Sequence, residues 1–385
     1  MKVCVVCDVL GEENNGTSIA AMNLIRSLKA KGHQVTVLCP YSDIYKDQEG
    51  FYFFKQYHFP KFIQKIFDRN GVNIGKVDYK LFKTHMKDAD IVHIMFPLFI
   101  GPKAARYAKT VLHKPVTTGF HCQAENFSSH LFGLMDSKRF NNFIYRQYYR
   151  TFYKYADVIH YPTAFIRETF ENIVGPTNGE VISNGVQSAF VPQEANRPIE
   201  LQDKKVILYT GRLSKEKSHQ VLVKAAALSK YRDEIQLVFA GQGPREKKIR
   251  KLSKKLLPNQ PIIQFFSRED LINVINSADL YVHAAEVEIE AISCIEAIRC
   301  GQVPIIANSP KCATKAFALD ERSLFKVNDP KDLSYKIDYW FDNPKELKKM
   351  RKKYAESGVQ FDFDKCMDRM EEMLLRAIKI NKEVK

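Results

Sequence analysis

At 385 residues, 45% apolar and 27% charged, the chain has the make-up of a soluble globular protein with room for two domains of ordinary size. Lys and Arg number 59 against 44 Asp and Glu, a net charge of +15 with a pI near 9.2, which indicates an anionic partner: nucleic acid, acidic glycan, nucleotide-sugar or anionic membrane surface. No apolar run is long enough to cross a bilayer, and Met1-Lys2-Val3 passes straight into a strand-like run, so neither a spanning segment nor a signal peptide is expected.

Residues 2–7 read as a buried strand. Their Cys4-Val-Val-Cys7 reads as small core residues, since it lies inside the strand instead of opening a helix. The eight cysteines are scattered without paired zinc spacing, which points to a reducing cytosol. A polar loop with Gly11 and Gly16 follows. Next comes an amphipathic helix over 18–31, with apolar Ile19, Met22, Ile25 and Leu28, Ser18 near its N-cap and Gly32 past its last turn. A strand at 35–38 completes the opening of a doubly wound α/β domain. It lacks G-x-G-x-x-G, so a tightly held dinucleotide is not indicated.

The pattern continues with a strand at 90–94, a helix at 102–113 and a strand at 116–119. Asp88-Ala-Asp90 caps a helix and opens a strand, and no metal site is expected there. Phe120-His121-Cys122-Gln123-Ala124-Glu125-Asn126 is a polar cluster just past a strand C-terminus, where such folds place chemistry. Two stretches mix basic with large apolar residues. One is 57–69, with Lys61, Phe62, Lys65 and Phe67. The other is a helix over 138–155, with Arg146, Arg150 and Lys154 on one face and Phe140, Ile144, Tyr148 and Phe152 on another. Such helices suit an anionic bilayer surface, or else the aromatic stripe is core and the basic face is solvated. Aromatic and basic residues together also suit nucleic acid, but no RNA-binding fingerprint or helix-turn-helix signature is present, so no nucleic-acid partner is expected.

Residues 1–191 form the first predicted domain and 192–203, poor in pattern, the linker. The second domain, 204–365, restarts with a strand at 206–211 and Gly211-Arg212-Leu-Ser-Lys-Glu-Lys217. A helix over 220–230 and a strand ending in Gly241-Gln-Gly243 come next. Two cations after a strand, converging with a helix N-terminus, form an anion site. Further on, Tyr281-Val-His283 ends a strand. Glu286-Val-Glu288-Ile289-Glu290-Ala291-Ile292 reads as an acidic loop opening a helix that carries Ile295, Glu296 and Ile298 and ends at Gly301. On one straight helix Glu288 and Glu296 would lie roughly 12 Å apart and about 80° out of register, a poor acid/base pair. They make better sense with Glu288 in the loop and Glu296 on the helix, gripping two parts of a long ligand whose anionic middle meets the helix N-terminus.

The Glu288 to Glu296 spacing ahead of Gly301-Gln-Val-Pro304, with Gly211-Arg212-Leu-Ser-x-Glu-Lys217, resembles the donor-site motifs of retaining glycosyltransferases of family 4. The resemblance runs over nearly the whole chain. It implies the GT-B fold, two Rossmann-like domains facing a central cleft, with the final helix (366–385) packing toward the first domain. Carried over residue by residue, it implies that Glu288 binds the sugar hydroxyls and Glu296 the ribose. Amides at Ile289, Glu290, Ala291 and Ile292 approach the sugar and diphosphate, and Arg212 and Lys217, beside Gly211, hold the diphosphate. Gly16, in Asn15-Gly16-Thr17, falls in the family's glycine-rich loop with Asn15 where a second Gly is usual, and is grouped with the donor-binding residues. His121 reaches the donor sugar near the reacting carbon. The catalytic set is then His121, Arg212, Lys217 and Glu288, with the leaving phosphate accepting the acceptor's proton. One departure is that Ile289-Glu290-Ala291 stands where the family often has Gly-Phe-Gly, so side chains occupy space where backbone would approach the sugar.

The implied activity is hexosyl transfer, glucose or galactose, from a UDP-sugar co-substrate without further cofactor. Phe120-His121-x-Gln123-x-Glu125-Asn126 looks similar to bacterial glycolipid synthases of the family, which implies a membrane lipid acceptor of diacylglycerol or ceramide type. Peripheral attachment to the inner face of the cell membrane through Lys61, Phe62, Lys65, Phe67, Arg146, Arg150 and Lys154 would follow. The alternative is a transferase of capsule, lipopolysaccharide or other polysaccharide assembly with a glycan acceptor.

Overall fold

A computed structural model describes residues 1–11, 16–57, 60, 75–126, 128 and 137–383. It divides into two compact units, Met1–Asn184 with Asp364–Lys385, and Gly185–Phe363.

The first unit runs β1 (Lys2–Val6), α1 (Gly16–Ala30), β2 (Gln34–Pro40), β3 (Phe51–Phe54), α2 (Tyr79–Met86), β4 (Ile91–Ile94), α3 (Ile100–Thr110), β5 (Val116–Gly119), α4 (Lys138–Thr151), β6 (Val158–Tyr161), α5 (Ala164–Val174) and β7 (Gly179–Val181). The strands form one parallel sheet in the order β3-β2-β1-β4-β5-β6-β7. Strands such as Ile91-Val-His-Ile94 are buried along their whole length, as a sheet covered on both faces requires. The order reverses between β1 and β4, the switch point at which such sheets open a crevice past their strand ends.

Two local expectations change. Ser18 lies inside α1, not at its cap: the described helix already includes Gly16, and the buried Ser18 hydroxyl donates to the Val9 carbonyl at 3.0 Å. On α4 the apolar stripe belongs to the core, with Ile144, Tyr148 and the following Phe152 buried, while Arg146, Arg150 and Lys154 are exposed. That stripe is therefore not available to a bilayer. The stretch carrying Lys61, Phe62, Lys65 and Phe67 lies outside the described residues.

The second unit runs β8 (Lys205–Thr210), α6 (His219–Leu228), β9 (Ile235–Ala240), α7 (Glu246–Leu256), β10 (Ile262–Gln264), α8 (Arg268–Ser277), β11 (Leu280–His283), α9 (Ile292–Arg299), β12 (Pro304–Asn308), β13 (Leu324–Lys326), α10 (Pro330–Asp342) and α11 (Pro344–Gly358). Its sheet is again parallel, ordered β10-β9-β8-β11-β12-β13, with the reversal between β8 and β11. Residues 192–203, read as the linker, pack onto this unit: the Gln193 and Asn196 amides donate to Asn276 and Asn273 at 3.1 and 2.9 Å, and Arg197 pairs with Asp279 at 2.9 Å. These side chains lie some eighty positions downstream, so sequence pattern gave no sign of them.

The last helix, α12 (Phe363–Glu383), is grouped with the first unit from Asp364 on. It buries Met367, Met370, Met373, Leu374 and Ala377. Lys31 and His33 meet Glu371 at 2.8 and 2.6 Å, and Arg376 meets Glu180 at 2.7 Å. Among the described residues no helix is long and apolar enough to cross a membrane.

Candidate active site

In the second unit the loops leaving β8 and β11 emerge side by side at the switch point. The first is held open by glycine. Gly211 has φ 141° and Gly241 φ 158°, and a Cβ on Gly241 would stand 2.1 Å from the Gly211 carbonyl oxygen, so these turns touch backbone to backbone. The Leu213 amide donates to Gln242 at 2.9 Å, which fixes the stretch carrying Arg212, itself half-buried. The Tyr209 hydroxyl donates to the Lys217 carbonyl at 2.6 Å, fixing the other end.

The second loop is clamped by the segment after β12. The Glu288 amide donates to Lys311 at 3.3 Å and the Ala313 amide to the Glu288 carbonyl at 2.9 Å, while Ser309 Oγ donates to Glu286 O at 2.6 Å. The Glu286 amide reaches the Glu216 carbonyl at 2.8 Å, so the two loops are joined through backbone. Across that junction the Lys217 ammonium donates to Glu288 Oε2, with both side chains only 17% exposed. Burial alone would depress the Lys217 pKa, but the adjacent Glu288 carboxylate reverses this and holds it above the usual lysine value. His283 Nε2 lies 3.8 Å from the same carboxylate oxygen. Burial and the Lys217 charge keep this imidazole well below its usual pKa, hence neutral.

α9 begins immediately beyond. Its N-cap, Ala291, adopts φ 62° and ψ 67° and makes no side-chain capping bond; its carbonyl accepts from the Cys294 and Ile295 amides at 2.9 and 3.3 Å, so the helix opens with the Ile292 and Ser293 amides, the kind of terminus that suits an anion. Ser293 Oγ donates to Thr210 O at 3.2 Å, docking the helix start on the end of β8. Glu296 stands one turn further on, and burial pushes its carboxyl up to about 7, with the Arg268 cation opposing the shift.

In the first unit, Gly16 begins the described part of α1, and a Cβ built on it meets nothing within 4 Å. His121 follows β5. It retains part of its surface, yet its Nε2 is sealed from solvent. Burial, then the nearby His160 and His93, hold it well below the ordinary histidine pKa, so at neutral pH it is a neutral ring rather than a proton carrier.

Residues 14–190 match the family described as Glycosyltransferase Family 4, and residues 192–357 match Glycosyl transferases group 1. The chain belongs to glycosyltransferase family 4. This glycosyltransferase is 25% identical over 306 residues to the GDP-mannose-dependent alpha-mannosyltransferase of Corynebacterium glutamicum, covering 75% of this chain and 68% of that protein. It is 50% identical to the catalytic domain of cholesterol-alpha-glucosyltransferase from Helicobacter pylori, over 40% of this chain and 98% of that one, with a TM-score of 0.39. The Anabaena Alr3699/HepE structure in complex with UDP superposes with a TM-score of 0.75 at 15% identity, covering 98% and 100% of the two chains. The fold is GT-B.

Of the residues this glycosyltransferase was expected to use, Arg212, Lys217, Glu288, the 289–292 backbone and Glu296 gather at the β8/β11 switch point of one unit, with Gly211 shaping the turn. Gly16 and His121 belong to the other unit. Sequence reasoning missed His283 and the Ser309 to Ala313 clamp that orient Glu288. The one available signal was position: His283 closes the strand that leads into the acidic loop, and Ser309-Pro310 follows the next.

Proposed function

We propose that this enzyme is a retaining glycosyltransferase that moves glucose or galactose from a UDP-sugar to a hydroxyl on a membrane lipid of diacylglycerol or ceramide type. The observation that carries the donor half is the Lys217 ammonium, fixed by Glu288 beside the uncapped start of α9. An ammonium has three donors, so Lys217 keeps Glu288 with one and offers the others to the departing diphosphate. Arg212 on the same loop adds a second cation, so the leaving group is stabilised without calling on a metal. By analogy with oxyanion stabilisation, losing either cation costs roughly 2 to 4 kcal/mol of barrier. Glu288 then faces sugar hydroxyls and Glu296 the ribose diol. The neutral His121 contributes a hydrogen bond to the sugar, and the departing phosphate takes the acceptor's proton on the same face.

The lipid half is supported by the likeness of residues 120–126 to glycolipid synthases and by the exposed Arg146, Arg150 and Lys154, which suit an anionic bilayer. The enzyme is incubated with labelled UDP-glucose, UDP-galactose or GDP-mannose and vesicles carrying diacylglycerol, ceramide or a sterol, then extracted with organic solvent. Label in the organic phase, lost in Glu288→Ala and Lys217→Ala, identifies a lipid acceptor and names donor and sugar. An α linkage in the product establishes retention. UDP binding without organic label sinks the lipid acceptor and leaves a glycan acceptor of capsule or lipopolysaccharide type.

A further inference from the structure

Three imidazoles meet where β4, β5 and β6 end. His93 and Thr117 are register partners across β4 and β5, as are Gly119 and His160 across β5 and β6. His121 folds back over Gly119, where a Cβ would stand 2.5 Å from His121 Nε2. The His121 and His160 rings are 5.7 Å apart at 64°. One buried nitrogen of each ring, His93 Nε2, His121 Nε2 and His160 Nδ1, has no hydrogen-bond partner among the described residues. All three rings line one cavity of about 10 Å³, together with Ala20, Leu24, Met95, Asn184, Met367 and Met370. That volume holds about one water, and a buried water needs two to four polar partners. Among the described residues no group of His, Cys, Asp and Glu is placed to hold a metal ion.

The protons in this cluster can be assigned in turn. His160 Nε2 lies 2.7 Å from the Ile182 carbonyl. A carbonyl only accepts, so Nε2 carries the proton and Nδ1 is an acceptor. His93 Nδ1 lies 2.9 Å from Thr117 Oγ1, a bond that runs in either direction. With the Thr117 hydroxyl donating, His93 carries its proton on Nε2, toward the cavity, where that donor needs an acceptor. A water between the rings would accept from His93 Nε2–H and give its own two protons to His160 Nδ1 and His121 Nε2.

We propose that His93 and His160 are positioning residues that fix His121, through one shared water, as its Nδ1–H tautomer. His121 then presents a hydrogen-bond donor at Nδ1, the polarity needed against a sugar oxygen. Burial keeps the supporting rings neutral, His93 at about 3 and His160 at about 4, so the arrangement does not depend on charge. Its catalytic meaning rests on the reading of His121 given above, whereas the tautomer itself does not.

The test is a long-range proton–nitrogen spectrum of the enzyme labelled with ¹⁵N-histidine, the His121 signals being assigned with His121→Ala. Wild type is expected to show His121 as Nδ1–H, and His160→Phe, which fills the cavity, to show the Nε2–H form gaining. The same variant should lose roughly tenfold in kcat with little change in donor KM, and His160→Gln, which keeps a polar group at the cavity, should recover part of it. Finding wild-type His121 as Nε2–H overturns the proposal whatever the kinetics. So does a His160→Phe enzyme that keeps its kcat within about twofold while His121→Ala loses it. If His121→Ala stays active, the sugar contact falls, and the wild-type spectrum still decides the tautomer.

Discussion

Removing one partner of the Lys217–Glu288 pair should damage both stability and chemistry, and the two effects separate cleanly. Each side chain is only 17% exposed, so Glu288→Gln leaves an ammonium largely desolvated with only the weaker influence of Glu216, and Lys217→Met strands a carboxylate. Orphaning a buried charge costs about 3 to 5 kcal/mol, and the remaining exposure places this pair near 3. For a unit the size of Gly185–Phe363, about 2 to 4 °C in Tm accompany each kcal/mol, so either single variant should melt about 6 to 12 °C lower. The double variant orphans nothing and should be more stable than either single. Activity does not recover with it. Lys217→Met and the double variant should both lose roughly 10²- to 10³-fold in kcat, because the diphosphate has lost its cation in each. Calorimetry and steady-state rates on the four proteins complete the cycle. Additive stability losses, or singles within about 0.5 kcal/mol of wild type, refute the buried pair as the organiser of this site.

Other consequences are open to direct measurement. With its carboxyl at about 7, Glu296 should bind the ribose diol best when ionised, so UDP affinity is expected to fall up to about fivefold between pH 7 and 6; Glu296→Gln should flatten that profile in titration calorimetry. His93 at about 3 and His160 at about 4 bind protons more weakly folded than unfolded, where the pKa is about 6.5. Their stabilisation is therefore full above that value and lost as pH falls toward 4, at up to about 1.4 kcal/mol per pH unit for each ring, and His160→Phe should lessen the pH dependence of urea midpoints. Gly119→Ala inserts a methyl against His121 Nε2, and should cut kcat about tenfold or more without altering UDP affinity. Ala291 is left-handed, a conformation that costs an alanine about 1 kcal/mol or more. Ala291→Gly should keep the wild-type Tm, while Ala291→Val, branched at a position that disfavours branching, should lower it by several degrees.

How much was legible follows from the range over which each interaction acts. The alternation of strand, turn and helix is local, and β5 covers the same residues, Val116–Gly119, as the strand expected there. Arg212 with Lys217, and Glu288 with Glu296, were recognisable because each pair sits on one short loop or loop-helix segment, so a local motif carries the family resemblance. That Lys217 lies against Glu288, 71 residues later, depends on β8 and β11 being neighbours, which no local pattern states. The His93, His121 and His160 cluster likewise needs three strands in register. On α4, periodicity revealed an apolar stripe and a basic face, but not whether protein or lipid covers the stripe. The departure at Ile289-Glu290-Ala291 was visible as a missing glycine, and the φ of Ala291 shows why a glycine is favoured there.

Because α12 is packed with the first unit while its residues come last in the chain, the two units differ in when they can be finished on the ribosome. Gly185–Phe363 is one unbroken stretch, whose sheet and helices are all present once Phe363 has been made. The first unit must wait, holding the surface that receives Met367, Met370 and Leu374 uncovered until residues 364–383 have been made. A nick near residue 364 would thus leave the second unit intact and open the one that carries His121, so removal of the segment from residue 364 onward should spare UDP binding and abolish transfer if the proposed function holds.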